Sequence, residues 1–132
     1  MNNENTSILF IDDDKFLLDM YALKFSKNNF EIHTAQGPEE GLKLLRDGLR
    51  PNIILVDVVM PEMDGIELLG TAQKEGLTKG SVLIILTNQG LPDDIARAKK
   101  IGVDGYIIKA TTIPSEVLAQ VQNIYSSSKK QQ

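Results

Sequence analysis

Two groups of aspartates in this sequence could together bind a cation and accept a phosphoryl group. Asp12, Asp13 and Asp14 follow the apolar residues 8–11, and Asp57 follows the apolar residues 53–56. Carboxylate oxygens are ligands that Mg²⁺ prefers, and a carboxylate can also act as a nucleophile towards phosphorus. The pattern predicts a site for a divalent cation and a phosphoryl group.

Two more polar residues follow apolar runs in the same way. Thr87 comes directly after residues 82–86, and Lys109 comes directly after residues 105–108. Lys109 offers a cation that would bind phosphate oxygens and offset the repulsion between clustered acids. Thr87 offers a hydroxyl donor. If these runs are parallel strands, their carboxyl ends meet at one edge of a sheet, which is where ligands bind in such folds.

The elements that must position these residues alternate along the chain. Residues 8–11, 30–35, 53–56, 82–86 and 105–108 have the length and composition of strands. Segments with helical spacing of apolar residues follow each of them. The central strands are continuously apolar, which is typical of a parallel sheet covered on both faces. We therefore predict an α/β, flavodoxin-like, doubly wound (βα)5 fold with strand order 2-1-3-4-5.

Composition narrows the class of protein. The chain has 132 residues and a net charge of −4 without a run of basic residues, which argues against direct nucleic-acid binding. It has no cysteine, so disulfides and thiolate metal sites are excluded. The polar first residues do not predict a signal peptide, and no apolar run approaches the ~20 residues that a membrane span needs. We predict one cytoplasmic domain over residues 1–132, with a core of about 7–125 and polar tails at 1–6 and 126–132.

Four segments carry a family resemblance. Residues 8–14, 54–65, 85–88 and 105–109 read ILFIDDD, ILVDVVMPEMDG, ILTN and GYIIK. In this order and spacing they resemble the receiver domain of two-component response regulators, over roughly residues 7–125. The resemblance is to a chemotaxis-regulator-like single domain. It implies phosphorelay signal transduction by a protein that catalyses only phosphotransfer to its own aspartate and hydrolysis of the product.

The resemblance also implies a role for each candidate residue. Asp57 would accept a phosphoryl group from the phosphohistidine of a sensor histidine kinase or phosphotransfer protein. Mg²⁺ would be bound by Asp13, by Asp57 and by the backbone carbonyl of Val59, with Asp12 acting mainly through water. Lys109 would contact the phosphoryl group.

The resemblance further implies a conformational switch. Thr87 would hydrogen-bond the phosphoryl oxygen, and Tyr106 would follow it inward. The surface of the fourth helix, fifth strand and fifth helix would then change for an unidentified downstream protein, without contact to a membrane. A phosphorylation-linked dimer and a relay to another histidine are further possible outputs.

The sequence departs from the family pattern at several positions. Ala110 stands where a proline usually forms a cis peptide, so we predict a trans bond there. Asn88 stands where a smaller residue is common and would narrow phosphoryl access. Val59 and Gln89 occupy the two variable positions that flank the acceptor. Because Val59 cannot orient an attacking water, we hypothesise a long-lived aspartyl phosphate.

Two alternatives remain open at this stage. A haloacid-dehalogenase-type phosphatase would use Asp12 as its nucleophile, whereas a receiver would use Asp57. The identity of the phosphorylated aspartate therefore discriminates between them. The other alternative is a receiver-like scaffold that binds partners without phosphorylation.

Overall fold

The computed structural model describes residues 6–88, 90–109 and 113–128 of the chain. Five strands alternate with five helices, as the apolar runs predict. The strands are β1 (Thr6–Asp12), β2 (Phe30–Gln36), β3 (Ile53–Asp57), β4 (Val82–Thr87) and β5 (Gly105–Ile108). The helices are α1 (Lys15–Ser26), α2 (Pro38–Arg46), α3 (Gly65–Lys74), α4 (Pro92–Ile101) and α5 (Pro114–Ser127).

The strands form one parallel sheet in the order β2-β1-β3-β4-β5. This confirms the flavodoxin-like topology. In the central register, Ile11 lies opposite Val56, and Val56 lies opposite Ile85. The regular elements run from Thr6 to Ser127, one residue before and two residues beyond the predicted core. Because β1 and β3 are neighbours, the acids at their carboxyl ends are brought side by side.

Side chains alternate between two apolar cores, one on each face of the sheet. On β3, Ile54 and Val56 pack in the core with α2 and α3, while Ile53 and Leu55 pack in the core with α1 and α5. Burial on both faces explains why the central strands are apolar at every position. None of the helices in the described ranges combines the length and the apolarity that a membrane crossing requires.

Helix α3 begins directly against the strand that carries Asp57. Asp64 is its N-cap, accepting a hydrogen bond from the backbone N–H of Glu67 at 2.8 Å, and the Glu67 side chain returns to the Asp64 N–H. A Cβ on Gly65 would collide with the carbonyl oxygen of Asp57. Only glycine allows this approach, so the start of α3 fixes the backbone beside the acid.

The same capping residue is tied to helix α4. Arg97 donates two hydrogen bonds to the Asp64 carboxylate, at 2.9 and 3.1 Å, and approaches Asp94 at 3.4 Å. At the other end of the pair of helices, the Gln73 side chain donates to the carbonyl of Ile101 at 2.6 Å. Helix α4 is thus bonded to α3 near both ends of α3.

We expect Asp64→Ala to lower the free energy of unfolding by about 1–2 kcal/mol, because it removes a helix cap together with an ion-pair partner. Arg97→Ala removes only the partly exposed ion pair and should cost less than about 1 kcal/mol. Urea denaturation measures both. Asp47→Ala, which breaks the exposed Lys43–Asp47 pair, is the surface control. Equal losses in Asp64→Ala and Asp47→Ala would contradict the capping role.

Candidate functional site

Three charged side chains at strand ends lie on the face of the sheet that packs against α1 and α5. Asp12 ends β1, Asp57 ends β3, and Lys109 follows β5. On each strand the residue two positions earlier packs in the α1 and α5 core. Strand pairing and side-chain alternation together therefore bring two acids and one base into the same space, as the strand ends predict.

Lys109 lies between the two buried acids. Its Nζ is 3.3 Å from Asp12 Oδ2 and 3.4 Å from Asp57 Oδ1. Asp12 Oδ1 accepts a hydrogen bond from the backbone N–H of Asp14 at 3.0 Å. Asp57 Oδ1 is fully buried, and its contact with Lys109 is an ion pair without hydrogen-bond geometry. Asp12 thus has both oxygens engaged, whereas Asp57 retains a buried oxygen without a hydrogen bond.

Burial has the largest effect on the pKa values of the acids in the site. Desolvation, with repulsion from Asp12, raises the pKa of Asp57 to about 6, although Lys109 opposes the shift. Burial also raises the pKa of Asp12, against the Asp14 hydrogen bond and Lys109. Burial would lower the pKa of Lys109, but the Asp57 and Asp12 carboxylates raise it overall. One lysine therefore compensates the two carboxylates only in part.

A third acid completes a potential cation site. Asp12, Asp13 and Asp57 each offer a carboxylate oxygen, and these three atoms lie within 4.8 Å of one another. Asp13 is exposed, while the other two are buried. An all-oxygen donor set that carries excess negative charge suits a hard divalent cation. The residues present therefore fit Mg²⁺.

The acids open into a cavity of about 560 Å³. Val59 lies in its wall with 67% of its surface exposed, and Asn88 also lines it. The Val58 carbonyl accepts a hydrogen bond from Gly65, whereas the Val59 carbonyl accepts none within the described ranges. Asn88 thus lines the same cavity as Asp57, and its effect on phosphoryl access remains a prediction.

Side chains alternate between the two faces along each strand. Thr87 and Tyr106 lie on the face opposite to that of the charged residues. Thr87 is buried at the end of β4 and is not part of the cavity lining described above. Tyr106 packs against the core of α2 and α3, and its hydroxyl is buried without a hydrogen bond. Burial, with the nearby Asp94, raises the pKa of Tyr106. The structure therefore places both residues beside, rather than in, the acidic cavity.

Some predictions fall on residues outside the described ranges. Gln89 and the Lys109–Ala110 peptide bond are not covered, so the trans bond remains a prediction. Asp14 lies within the described ranges and is the N-cap of α1, accepting hydrogen bonds from Phe16 and Leu17.

Sequence reasoning missed the apolar wall of the cavity. This wall consists of Leu17, Met20, Tyr21, Ile113 and Pro114. Leu17, Met20 and Tyr21 are recognisable in the sequence as one face of an amphipathic helix, but that pattern equally describes an ordinary core face. Their spacing alone could not show that this face reaches beyond the core to the acids.

Comparisons with known proteins agree with this geometry. The family model for the response regulator receiver domain matches residues 8–122. Transcriptional regulatory protein AfsQ1 of Streptomyces coelicolor is 32% identical over 103 residues, 78% of this chain and 44% of that protein. Transcriptional regulatory protein SrrA of Staphylococcus aureus is 32% identical over 122 residues, 92% of this chain and 47% of that protein. The chain thus spans less than half the length of each of these two relatives.

A solved structure shows the same architecture. The CheY-like response regulator receiver domain protein from Methanospirillum hungatei superimposes with a TM-score of 0.86 at 27% sequence identity. The match covers 98% of this chain and 100% of the other. Fold and sequence matches therefore extend over nearly the whole chain.

We expect Asp57→Asn to raise the free energy of unfolding near pH 7.5 by about 1–3 kcal/mol in the absence of divalent cations. The folded-state pKa of Asp57 is above its ordinary value, so the folded protein binds the proton more tightly than the unfolded chain does. The wild type therefore loses stability as the pH rises from about 4 to about 6.

Urea denaturation at several pH values in EDTA measures this effect. The advantage of Asp57→Asn should shrink as the pH falls towards 4. Asp19→Asn, which alters an exposed ion pair with Lys15, should show no such pH dependence. A pH-independent difference between the wild type and Asp57→Asn would rule out the ionisation cost.

Proposed function

The chain belongs to the response regulator receiver domain family, and on that premise we propose that Asp57 is its phosphoacceptor. The donor would be the phosphohistidine of a sensor histidine kinase or phosphotransfer protein. The observation that carries the assignment is the position of Asp57, which lines the cavity together with Asp12, Asp13 and Lys109. Its carboxylate therefore lies beside acids that can hold a cation and beside a lysine that can bind phosphate oxygens.

The proposed reaction is a displacement at phosphorus. An oxygen of Asp57 forms a bond to phosphorus while the bond from phosphorus to the histidine nitrogen breaks. The imidazole leaves with the electron pair and takes up a proton, and Asp57 becomes an acyl phosphate. Lys109, between Asp57 and Asp12, would move its contact from the carboxylate to a phosphoryl oxygen.

The acidic cluster would hold Mg²⁺ in this reaction. Asp13, Asp57 and the Val59 carbonyl would be its protein ligands, and Asp12 would act mainly through water. Bound there, the cation would neutralise charge on the phosphoryl oxygens. Burial raises the pKa values of Asp57 and Asp12, and the single lysine between them compensates their charge only in part, which supports a requirement for such a cation.

Residues on the other face of the sheet would carry the conformational change that follows phosphorylation. Thr87 would hydrogen-bond the phosphoryl oxygen, and Tyr106, whose hydroxyl is already buried, would stabilise the changed position of α4. The altered surface of α4, β5 and α5 would then bind a downstream protein or a second copy of the chain. This is a population shift between two conformations, biased by new charge at Asp57.

The phosphatase alternative has less support from the geometry. It requires Asp12 as the nucleophile, yet Asp12 is engaged by the Asp14 N–H and by Lys109. The chain is a receiver domain rather than a classical enzyme, so we propose that its catalysis is limited to phosphotransfer to itself and hydrolysis. A partner kinase would place it in the cytoplasm.

We expect the wild type to gain the mass of one phosphoryl group when it is incubated with acetyl phosphate and Mg²⁺, because Asp57 is positioned as the nucleophile. Intact-mass spectrometry measures the adduct. Asp57→Asn and addition of EDTA should each abolish it. Asp13→Asn should greatly raise the Mg²⁺ concentration that the adduct requires, whereas Asp14→Asn, which preserves the helix cap, should not.

The site of the adduct separates the alternatives. Phosphorylation at Asp12 would favour the phosphatase. If acetyl phosphate gives no adduct, the same measurement with a histidine-kinase donor follows. Absence of an adduct with both donors would favour the phosphorylation-independent scaffold.

We expect the aspartyl phosphate to persist for many minutes, because the exposed side chain in the Val59 position cannot orient a water. Val59→Asn should shorten its half-life several-fold by supplying a polar group. Loss of the phosphoryl adduct over time after donor removal measures this. Leu23→Asn, the same type of change at an exposed position on α1, is the control. A wild-type half-life of seconds would contradict the hypothesis.

A further inference from the structure

Tyr21 is held rigidly in the wall of the acidic cavity. It lies on α1 and is only 3% exposed. Its ring packs edge-on against Phe10, with ring centroids 5.2 Å apart, and against Phe25 at 6.4 Å. These contacts fix the ring plane and leave the hydroxyl little freedom of position.

The hydroxyl end of Tyr21 lies near the charges of the site. Tyr21 lines the same cavity as Asp12, Asp57 and Lys109, and it packs on the same face of the sheet. Its pKa is raised by burial, and the charges of Lys109 and Asp12 also act on it. Within the described ranges its hydroxyl makes no hydrogen bond, so the oxygen is available to another group in the cavity.

We propose that Tyr21 is a positioning residue for phosphoryl transfer, whose hydroxyl oxygen accepts a hydrogen bond from the Lys109 ammonium group. This inference rests on the proposed phosphorylation of Asp57. Tyr21 does not contact the reacting atoms in this role. It directs Lys109 towards the phosphoryl group that Lys109 is proposed to bind.

The geometry around Lys109 supplies the reason. An ammonium group has three donors, and the two contacts of Lys109 with Asp12 and Asp57 are long, at 3.3 and 3.4 Å. When the Asp57 carboxylate becomes an acyl phosphate, it loses its negative charge and the ammonium must turn towards the phosphoryl oxygens. During that movement the hydroxyl oxygen of Tyr21 keeps a hydrogen bond from one N–H group of Lys109. Because this oxygen is neutral, it does not compete with the charged phosphoryl oxygens for the ammonium group.

A double-mutant cycle between Tyr21→Phe and Lys109→Ala tests the proposal, because Tyr21→Phe removes only the hydroxyl. The rate of phosphorylation by acetyl phosphate with Mg²⁺ is measured by intact mass, and the affinity for beryllofluoride with Mg²⁺ is measured on the same four proteins. We expect Tyr21→Phe to lower the rate about three- to tenfold, the equivalent of one hydrogen bond. In the Lys109→Ala background the same change should have less than about a twofold effect on rate and on beryllofluoride affinity.

Tyr125→Phe removes a hydroxyl at the far end of α5 and should leave the rate unchanged. A Tyr21→Phe rate within about twofold of the wild type would overturn the proposal. An equal effect of Tyr21→Phe in both backgrounds would overturn it too, since the hydroxyl would then act independently of Lys109. If the wild type takes up no phosphoryl group from any donor, the proposed function itself fails. A phosphorylated wild type with an unaffected Tyr21→Phe variant means that only this inference fails.

Discussion

Two carboxylates buried side by side are the constraint around which this structure is organised. Pairing of β1 with β3 brings Asp12 and Asp57 to the same edge, and Lys109 is the base that lies within ion-pair distance of both. Burial raises the pKa of Asp57 to about 6 although Lys109 opposes the shift, so that base compensates the burial only in part. Two apolar side chains of similar size in these positions would avoid the free-energy cost of removing charges from water. Such a cluster is typical of a site that binds an additional cation or changes its charge in function.

The surrounding structure holds this unfavourable cluster in place. The continuously apolar strands supply two cores, one on each face of the sheet. Gly65 lets α3 begin against the backbone of Asp57, and Asp64 caps that helix. Rigid elements therefore fix the backbone on both sides of the acid. The cavity therefore provides the geometry, while the two cores provide the stability that the acids reduce.

The fold and the charged residues could be predicted because their signals are local. Each strand is an apolar run that ends at a polar residue, and the rules for parallel sheets then determine which ends meet. The bond between Arg97 and Asp64 could not be predicted in the same way. These residues are 33 positions apart, and their contact depends on how α4 is rotated and offset against α3. Tyr21 was recognisable as a core residue of a helix, but only the three-dimensional structure shows that it lines the cavity.

Side-chain alternation separates the proposed chemistry from the proposed signalling. The side chains of Asp12, Asp57 and Lys109 lie on the face of the sheet that α1 and α5 cover. Tyr21, which is on α1, packs on that same face. Tyr106 packs on the face of α2 and α3, and the alternation of β4 places Thr87 on that face too. A change at Asp57 must therefore cross the sheet to reach α4. Thr87, for which we propose this connecting role, ends β4, the strand that lies between β3 and β5. A phosphoryl oxygen on Asp57 that extends beyond the edge of the sheet would be accessible from both faces, which is what the proposed signal from the acidic cavity to the surface of α4 requires.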